Sequence, residues 1–214
     1  AYDISLGLVG SEMCIRDRFR EKHHFDFLGT LLRGWLNDAK WCAANPELRI
    51  WCAASSSGEE PFTIAMTAHD ALGRSGKKLK ILATDISTQM LAKARAATFA
   101  KDRTQTVPAP YRQRYLQRSA QGDPELVEIV PALRQVVTFA RFNLMSETFP
   151  FKRGFHIVFC RNVMIYFDRP TQQTLVNKMA RHLLPGGHLL IGHSESLNNI
   201  THPLSYVEPT IYKK

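Results

Sequence analysis

Several features that mark common classes of protein are missing from this sequence. The 214 residues include only four cysteines, which show no CxxC pair and no metal-ligand spacing with the eight histidines. The sequence therefore indicates neither a zinc site nor a disulfide framework, and it favours reduced thiols in a cytosolic protein. No run reaches the roughly 18 apolar residues that a membrane span needs, and the first residues do not show the charged-then-apolar layout of a secretion signal. We expect a soluble, cytoplasmic protein that does not insert into a membrane.

The glycine-rich motifs that bind phosphate groups are also missing. Neither GxGxxG nor GxxxxGK occurs among the 12 glycines of the chain. Because these motifs bring backbone N–H groups close to a phosphate, their absence argues against a P-loop enzyme and against a dinucleotide oxidoreductase. The oxidoreductase stays the weakest of the alternatives considered below.

Acidic residues are few compared with basic ones. Asp and Glu number 19 against 28 Lys and Arg, which gives a formal net charge of +9. This excess favours an acidic partner, a nucleic acid or an anionic surface, and it fits a basic soluble enzyme equally well. The length suits one main domain. We interpret residues 1–18 as a leader that is non-native or disordered, and we place the domain at residues 19–214.

The stretch IWCAASSSGEEP, residues 50–61, is the centre of the predicted fold. An apolar run typical of a buried strand stops at small residues and continues as a helix, with Pro61 in the first turn where proline is tolerated. Such a loop presents backbone N–H groups to a polar ligand. However, Glu59 and Glu60 follow directly and would repel a phosphate.

Periodicity predicts alternating strands and helices, the βαβ pattern of a doubly wound α/β sheet. Expected strands cover residues 48–53, 80–84, 155–160 and 188–192, and expected helices cover residues 19–44, 61–72, 88–97 and 171–184. Residues 103–137 are rich in proline, with short alternating runs at 126–130 and 136–142 that predict a small β-rich insertion or flap. Residues 205–212 predict a terminal hairpin.

Ligands of open α/β sheets bind beyond the carboxyl ends of the strands, so the residues that end successive strands belong together. These are the SSSGEE loop, Asp85, Asn143, Arg161 with Asn162 and Tyr166, and the HSES loop at residues 193–196. Asp85 stands near the position of a ribose-binding acid, although a helix cap or a solvated charge is the simpler interpretation of a lone acid. A rim with acids where dinucleotide sites bind phosphates suits a positively charged nucleoside such as S-adenosylmethionine.

The histidines give no clear signal for a metal. His23, His24 and His193 invite a metal or base assignment, but their spacing is not that of a ligand set. Adjacent residues of a helix also project in different directions, so we expect His23 and His24 to lie on different helix faces. We therefore predict no metal site.

Six motifs carry a family resemblance, in order from about residue 19 to residue 212. FREKHHF, AASSSGEEP, LATDIS, FNL, FCRNVMIYFD and LLPGGHLLIGHSESL resemble the catalytic domain of chemotaxis receptor glutamate O-methyltransferases, the CheR family. The resemblance implies a class I, Rossmann-like methyltransferase fold with a mostly parallel seven-stranded sheet and a β-rich insertion at about residues 112–142. It also implies S-adenosylmethionine as cofactor and methyl esterification of glutamates on cytoplasmic receptor helices.

The same resemblance implies roles for individual residues. It places Ala54, Ser55 and Glu60 at the methionine side of the cofactor, Asp85 at the ribose, Asn143 and Leu144 at the adenine, Arg161 and Asn162 along the rim, and Arg20 and Tyr166 at the transferred methyl group. Without the resemblance, an exposed helix charge is the better interpretation of Arg20, whereas Tyr166 fits a core aromatic and a site residue equally well. Arg20 is the expected partner of Glu60. We expect a monomer whose partner is the chemoreceptor cytoplasmic domain, with no nucleic acid.

The sequence departs from the family pattern at its start. CIRDR replaces the threonine and phenylalanine run before FRE, and we expect the family's N-terminal helical domain to be absent. A cofactor-binding or receptor-binding module without turnover therefore stays an alternative. A nucleic-acid methyltransferase is the other, suggested by the positive charge but disfavoured because CRNVMIY is neither an Asn/Asp-Pro-Pro-aromatic motif nor a Pro-Cys nucleophile.

Overall fold

The structure, a computed structural model, describes residues 19–214. The expected leader at residues 1–18 lies outside this range. The strands are β1 (Glu47–Cys52), β2 (Lys78–Asp85), β3 (Thr98–Ala100), β4 (Leu116–Arg118), β5 (Leu126–Ile129), β6 (Val137–Arg141), β7 (Phe155–Cys160), β8 (Leu183–Ile191), β9 (Ser205–Glu208) and β10 (Ile211–Lys213). The helices are α1 (Lys22–Asn37), α2 (Ala39–Ala44), α3 (Glu59–Leu72), α4 (Thr88–Ala96), α5 (Ala109–Tyr115), α6 (Pro131–Arg134) and α7 (Arg169–His182).

Seven strands form the main sheet in the order β6-β2-β1-β7-β8-β10-β9. The pairs among β6, β2, β1, β7 and β8 are parallel, whereas β10 runs antiparallel to both β8 and β9. The predicted mostly parallel seven-stranded sheet and the terminal hairpin are therefore confirmed. From β1 the chain builds outward to β2 and β6, then returns to β7 on the other side, so the topological switch point lies between β1 and β7.

Alternating residues of the central strands divide the core into two layers. Ile50 of β1 and Ile157 of β7 pack in a cluster with Phe25, Leu28 and other residues of α1 and α3. Trp51 and Val158, one position further along the same strands, pack in a second cluster with residues of α7. All six residues of β7 are buried. Strands covered on both faces read as continuous apolar runs, which is why this segment was predictable from sequence.

The helical segment predicted at residues 19–44 consists of two helices, α1 and α2. Asp38 has an extended backbone between α1 and α2, and its carboxylate accepts hydrogen bonds from the Lys40 N–H at 2.9 Å and the Trp41 N–H at 3.1 Å. This side chain caps α2 and so starts a new helix. Trp35 and Trp41 stack across the break with ring centroids 4.8 Å apart.

The β-rich insertion also differs from the expectation for residues 112–142. The separate small sheet has the order β3-β5-β4 and takes its first strand from residues 98–100, before the expected range. Strand β6 is not part of it, because it pairs in parallel with β2 from Ile81↔Val137 to Asp85↔Arg141. Pairing at the main-sheet edge buries Val137 and brings the residues after β6 to the carboxyl end of the sheet. Within residues 19–214, no helix has the length and apolar character that a membrane span requires.

Candidate functional site

The candidate site lies at the carboxyl ends of the parallel strands, around the switch point. Hydrogen bonds of the loop at residues 53–58, which connects β1 to α3, fix it to both neighbouring strands. The Ala53 N–H donates to the Phe159 carbonyl of β7 at 2.8 Å, and the Ser55 N–H donates to the Thr84 carbonyl of β2 at 2.9 Å. Gly58 ends the loop with φ of 98°, a conformation that favours glycine. The loop is therefore a rigid wall of the site.

Ser55 has an unusual environment in this loop. Its side chain is buried, yet its Oγ atom has no hydrogen-bond partner among residues 19–214. A buried hydroxyl without a partner costs free energy, about 1–3 kcal/mol in mutational data. The orphaned atom therefore marks a place where a polar ligand fits.

Asp85 ends β2 beside this loop and is half-buried. One carboxylate oxygen accepts from the Ser56 N–H at 2.8 Å, and the other accepts from the Ser87 N–H at 2.9 Å. An ionised carboxylate offers about four acceptor positions, so both oxygens can still accept from ligand hydroxyls. The next strand along the edge brings Asn143 and Leu144 close, because the Phe142 N–H donates to the Asp85 carbonyl at 3.0 Å. Asn143 is exposed and Leu144 is buried.

Arg161, directly after β7, lies at the centre of a buried ionic cluster. Its side chain is 2% exposed, and its guanidinium contacts Glu60 Oε2 at 2.6 Å and Glu21 Oε2 at 3.1 Å. The guanidinium also donates to the Arg20 carbonyl at 2.5 Å and lies over the Phe25 ring. With both acids ionised, the cluster has a net charge of −1, which suits a cationic ligand.

The pKa values of the two acids shift in opposite directions. Burial raises the pKa of Glu60, against the opposing effect of the Arg161 charge. Burial also tends to raise the pKa of Glu21, but the Arg161 charge and the hydrogen bond from the His193 N–H outweigh it, so this pKa lies below its ordinary value. Cys52 donates its thiol to Glu60 Oε1 at 3.2 Å, and burial raises the pKa of that thiol. Glu60 keeps 20% of its side chain exposed, so a ligand can still reach it.

The segment before α1 joins the site in a way that the sequence did not indicate. Glu60 forms an ion pair with Arg161, and the Arg20 carbonyl oxygen accepts a hydrogen bond from the same guanidinium. Glu21, not among the predicted site residues, pairs with Arg161 and accepts from the His193 N–H at 3.1 Å. Charge balance was the signal in the sequence that could have indicated a residue such as Glu21, because an arginine at the end of a fully buried strand needs acidic partners.

Glu195 is the second residue that the predicted set lacks, although it lies in the HSES loop of the predicted rim. Its carboxylate accepts from four backbone N–H groups, those of Asn162 at 3.1 Å, Val163 at 2.9 Å, Met164 at 2.7 Å and Gly192 at 2.6 Å. The side chain thereby fixes the turn after β7 against the loop after β8. A sequence alone does not reveal which backbone groups a carboxylate will meet.

The turn that Glu195 holds positions two further predicted residues. Asn162 has a positive φ of 56° and lies on the rim, with its amide nitrogen 3.5 Å from Glu21 Oε1. Tyr166 ends a short 3-10 turn (Met164–Tyr166) and is 71% exposed. The alternative interpretation of Tyr166 as a core aromatic is therefore wrong.

The expectation that His23 and His24 lie on different helix faces is wrong. His23 and His24 do not project to separate surroundings, because their ring centroids are 4.0 Å apart, and the His193 ring lies 4.5 Å from that of His23. The expectation treated α1 as an ideal helix, but Glu21 before it has a left-handed backbone and the loop after β8 closes over its first turn. The three rings form one group next to Glu21.

The fold and this site together define a class I methyltransferase that depends on S-adenosylmethionine. A mostly parallel seven-stranded sheet carries an antiparallel hairpin at one edge, and its switch point is lined by acids instead of phosphate-binding glycines. Over residues 16–213 the chain matches the CheR methyltransferase, SAM binding domain. It belongs to this family, as the motifs predicted.

Curated relatives agree with the family match. The chain is 42% identical to the chemotaxis protein methyltransferase of Borreliella burgdorferi, in an alignment that covers 92% of this chain and 69% of that protein. It is 39% identical to chemotaxis protein methyltransferase 2 of Pseudomonas aeruginosa, over 91% of this chain and 67% of that protein. For the chemotaxis protein methyltransferase of Escherichia coli the identity is 36%, over 91% of this chain and 65% of that protein. The chain thus spans about two thirds of these relatives.

The residues present fit S-adenosylmethionine. Ser55 Oγ is a buried hydroxyl without a partner among the described residues, Asp85 keeps acceptor positions for hydroxyls, and the Arg161 cluster leaves Glu60 partly open with a net negative charge. Ser55 thus offers a polar contact, Asp85 offers a hydrogen-bond acceptor for the ribose, and the Arg161 cluster offers a negative charge for the cation. The cofactor of the family therefore matches the chemistry of the site.

Proposed function

We propose that this chain transfers the methyl group of S-adenosylmethionine to glutamate side chains of chemotaxis receptors and forms methyl esters. One observation supports this proposal above the others. Hydrogen bonds and ion pairs join the loop at residues 53–58, Asp85, Glu60, Arg161 and Glu21 into one continuous rim. Such a rim combines groups for a nucleoside with groups for a cation on one edge of the sheet.

In this proposal the cofactor side of the rim has a division of roles. Asp85 accepts from the ribose hydroxyls, Asn143 and Leu144 contact the adenine, and Glu60 with the Ala54 and Ser55 loop binds the methionine moiety. S-adenosylmethionine supplies, when bound, an electrophilic methyl group on a positively charged sulfur. Arg161 and Asn162 shape the rim, since Arg161 holds Glu60 and Glu21 in place through contacts of 2.6 Å and 3.1 Å.

The proposed reaction needs no general base. A glutamate carboxylate, with an ordinary pKa of about 4.3, is already ionised near neutral pH and can act as the nucleophile. The protein therefore contributes mainly position and orientation. Tyr166, 71% exposed at the rim, can donate its hydroxyl to the incoming carboxylate. Arg20 is proposed to orient the same carboxylate, in a segment that Arg161 fixes through the Arg20 carbonyl.

The proposed partner is the cytoplasmic domain of a chemotaxis receptor. A net charge of +9 suits association with glutamate-rich helices, and salt should weaken this long-range attraction. The small sheet β3-β5-β4 is the proposed counterpart of the inserted subdomain, which in some family members docks a C-terminal receptor peptide. We propose that the protein acts as a monomer in the cytoplasm.

A labelling experiment tests the proposal. The chain is incubated with methyl-labelled S-adenosylmethionine and receptor cytoplasmic fragments, and the products are treated with mild alkali. Base-labile label on glutamates is expected, whereas label that resists alkali would contradict the proposal. Calorimetry with S-adenosylhomocysteine separates the remaining alternative, because tight binding without transfer would indicate a module without turnover.

A further inference from the structure

We propose that His23, His24 and His193 form a binding site for a divalent transition metal ion, with Zn²⁺ as the best match. Two of these histidines belong to the first turn of α1 and the third to the loop after β8. The site is separate from the groups assigned to the cofactor. It touches them only through Glu21.

The geometry is close to that of a bound ion. One ring nitrogen from each histidine lies within 4.8 Å of one from each of the other two. Nitrogens that share a tetrahedral Zn²⁺ at 2.0–2.1 Å are about 3.3 Å apart. His193 Nε2 already lies 3.0 Å from His23 Nδ1 and 3.3 Å from His23 Nε2. A small rotation of the exposed His193 ring and the half-buried His23 ring would complete the approach to His24.

His24 has the features of a preorganised ligand. Its side chain is fully buried, and its Nδ1 lies 3.3 Å from Glu21 Oε2 without a hydrogen bond to any described residue. Its Nε2, the nitrogen left to bind an ion, lies 2.8 Å from the Thr210 hydroxyl, which an ion at this position would displace. Metal-binding histidines commonly have a carboxylate at the second nitrogen, which orients the ring and raises its basicity as a ligand. Glu21 is placed to do this for His24.

The donor set selects the kind of ion. Three imidazole nitrogens suit Zn²⁺, Cu²⁺ and Ni²⁺, whereas Mg²⁺ and Ca²⁺ prefer oxygen ligands. His193 is exposed, so an ion can enter from solvent and a water molecule can complete the coordination. The Thr210 hydroxyl, 3.4 Å from His23 Nε2, is a polar neighbour that can hydrogen-bond to that water.

An ion at this site would connect two segments that are far apart in sequence. It would cross-link the start of α1 to the loop after β8, both of which contact Glu21, and Glu21 pairs with Arg161. Because a ligand that binds only the folded state stabilises it, Zn²⁺ should raise the melting temperature. At a zinc concentration about 100 times the Kd, the increase should be on the order of 5 °C.

The test is calorimetric titration of the chain, without an affinity tag, with ZnCl₂, beside thermal unfolding with and without Zn²⁺. We expect one equivalent of bound Zn²⁺, at least about tenfold weaker binding in His193→Asn and in His23→Asn, and loss of the thermal shift in both. His202→Asn, which alters a histidine outside the cluster, should bind as the unchanged chain does. MgCl₂ should give no comparable heat or shift.

Two results would overturn the proposal. One is the absence of stoichiometric Zn²⁺ binding to a chain that still binds S-adenosylhomocysteine, which shows that the chain is folded. The other is Zn²⁺ binding that His193→Asn and His23→Asn leave unchanged, since the ion would then occupy another place. In either case the three rings are only a packed aromatic group.

Discussion

Replacing Arg161 by methionine tests the buried ionic cluster directly. The arginine side chain is 2% exposed, and its removal leaves Glu21 at 6% exposure and Glu60 at 20% exposure without their cationic partner. Removal of one partner from a buried ion pair typically costs 3–5 kcal/mol, roughly, because the remaining charge is uncompensated. Water can reach part of Glu60, so we expect the lower end, about 3 kcal/mol of unfolding free energy.

The loss should depend on pH with a definite sign. In the unchanged protein the pKa of Glu21 is lowered, so its stabilising contribution is present above its unfolded pKa and is lost as pH falls through the folded pKa. Without Arg161 that contribution is absent at neutral pH. As the pH falls towards about 4.5, Glu21 and Glu60 of the variant gain protons. The unfavourable free energy of their uncompensated charges then disappears. The difference in the free energy of unfolding between the variant and the unchanged protein should therefore be large at neutral pH and smaller at pH 5.

Urea unfolding followed by tryptophan fluorescence measures this difference. Trp51 is buried in the core beside the loop, so its emission reports global unfolding. Adding Glu60→Gln to the Arg161→Met variant removes one of the two uncompensated charges. This change should recover part of the lost free energy of unfolding. Arg141→Met, at the exposed end of β6, is the matched control and should change stability by no more than about 0.5 kcal/mol. A loss below about 1 kcal/mol at neutral pH, or the same loss at both pH values, would refute the reasoning.

Three further predictions concern single side chains of the rim. Asp85→Ala should weaken S-adenosylhomocysteine binding by about 10- to 100-fold in calorimetry, because charged hydrogen bonds to the ribose are lost; Asp123→Ala, in an exposed turn, should not. Tyr166→Phe should lower kcat at least about tenfold and leave that binding nearly unchanged, since the hydroxyl is proposed to act on the substrate carboxylate; the reverse pattern would contradict both assignments. Glu195→Gln should lower the free energy of unfolding by about 1–3 kcal/mol in urea titrations, because one carboxylate accepts four backbone N–H groups. Equal stability of Glu195→Gln and the control Glu208→Gln would count against that explanation.

Local patterns in the sequence were sufficient for most of the architecture. The strand, loop and helix at residues 50–61 and the apolar run of β7 were predictable, because buried parallel strands are apolar throughout and small residues mark the turn. The assignment of β6 was missed because it depends on pairing with β2, which is distant in sequence. The break between α1 and α2 is local, since the Asp38 carboxylate accepts from N–H groups two and three residues further on and caps α2.

The sequence by itself determined the family, the class I sheet and the set of residues that end its strands, since these depend on local periodicity and on motifs in a fixed order. Only the tertiary structure decided how those residues pair. It paired Glu60 and Glu21 with Arg161, placed the Glu195 carboxylate where it accepts from four N–H groups, and brought the rings of His23, His24 and His193 together. The ion pairs of Arg161 and the contact between His23 and His193 join residues more than 100 positions apart, and Glu195 accepts from N–H groups of residues 31 to 33 positions away. The geometry of these contacts depends on the packed sheet rather than on any local pattern.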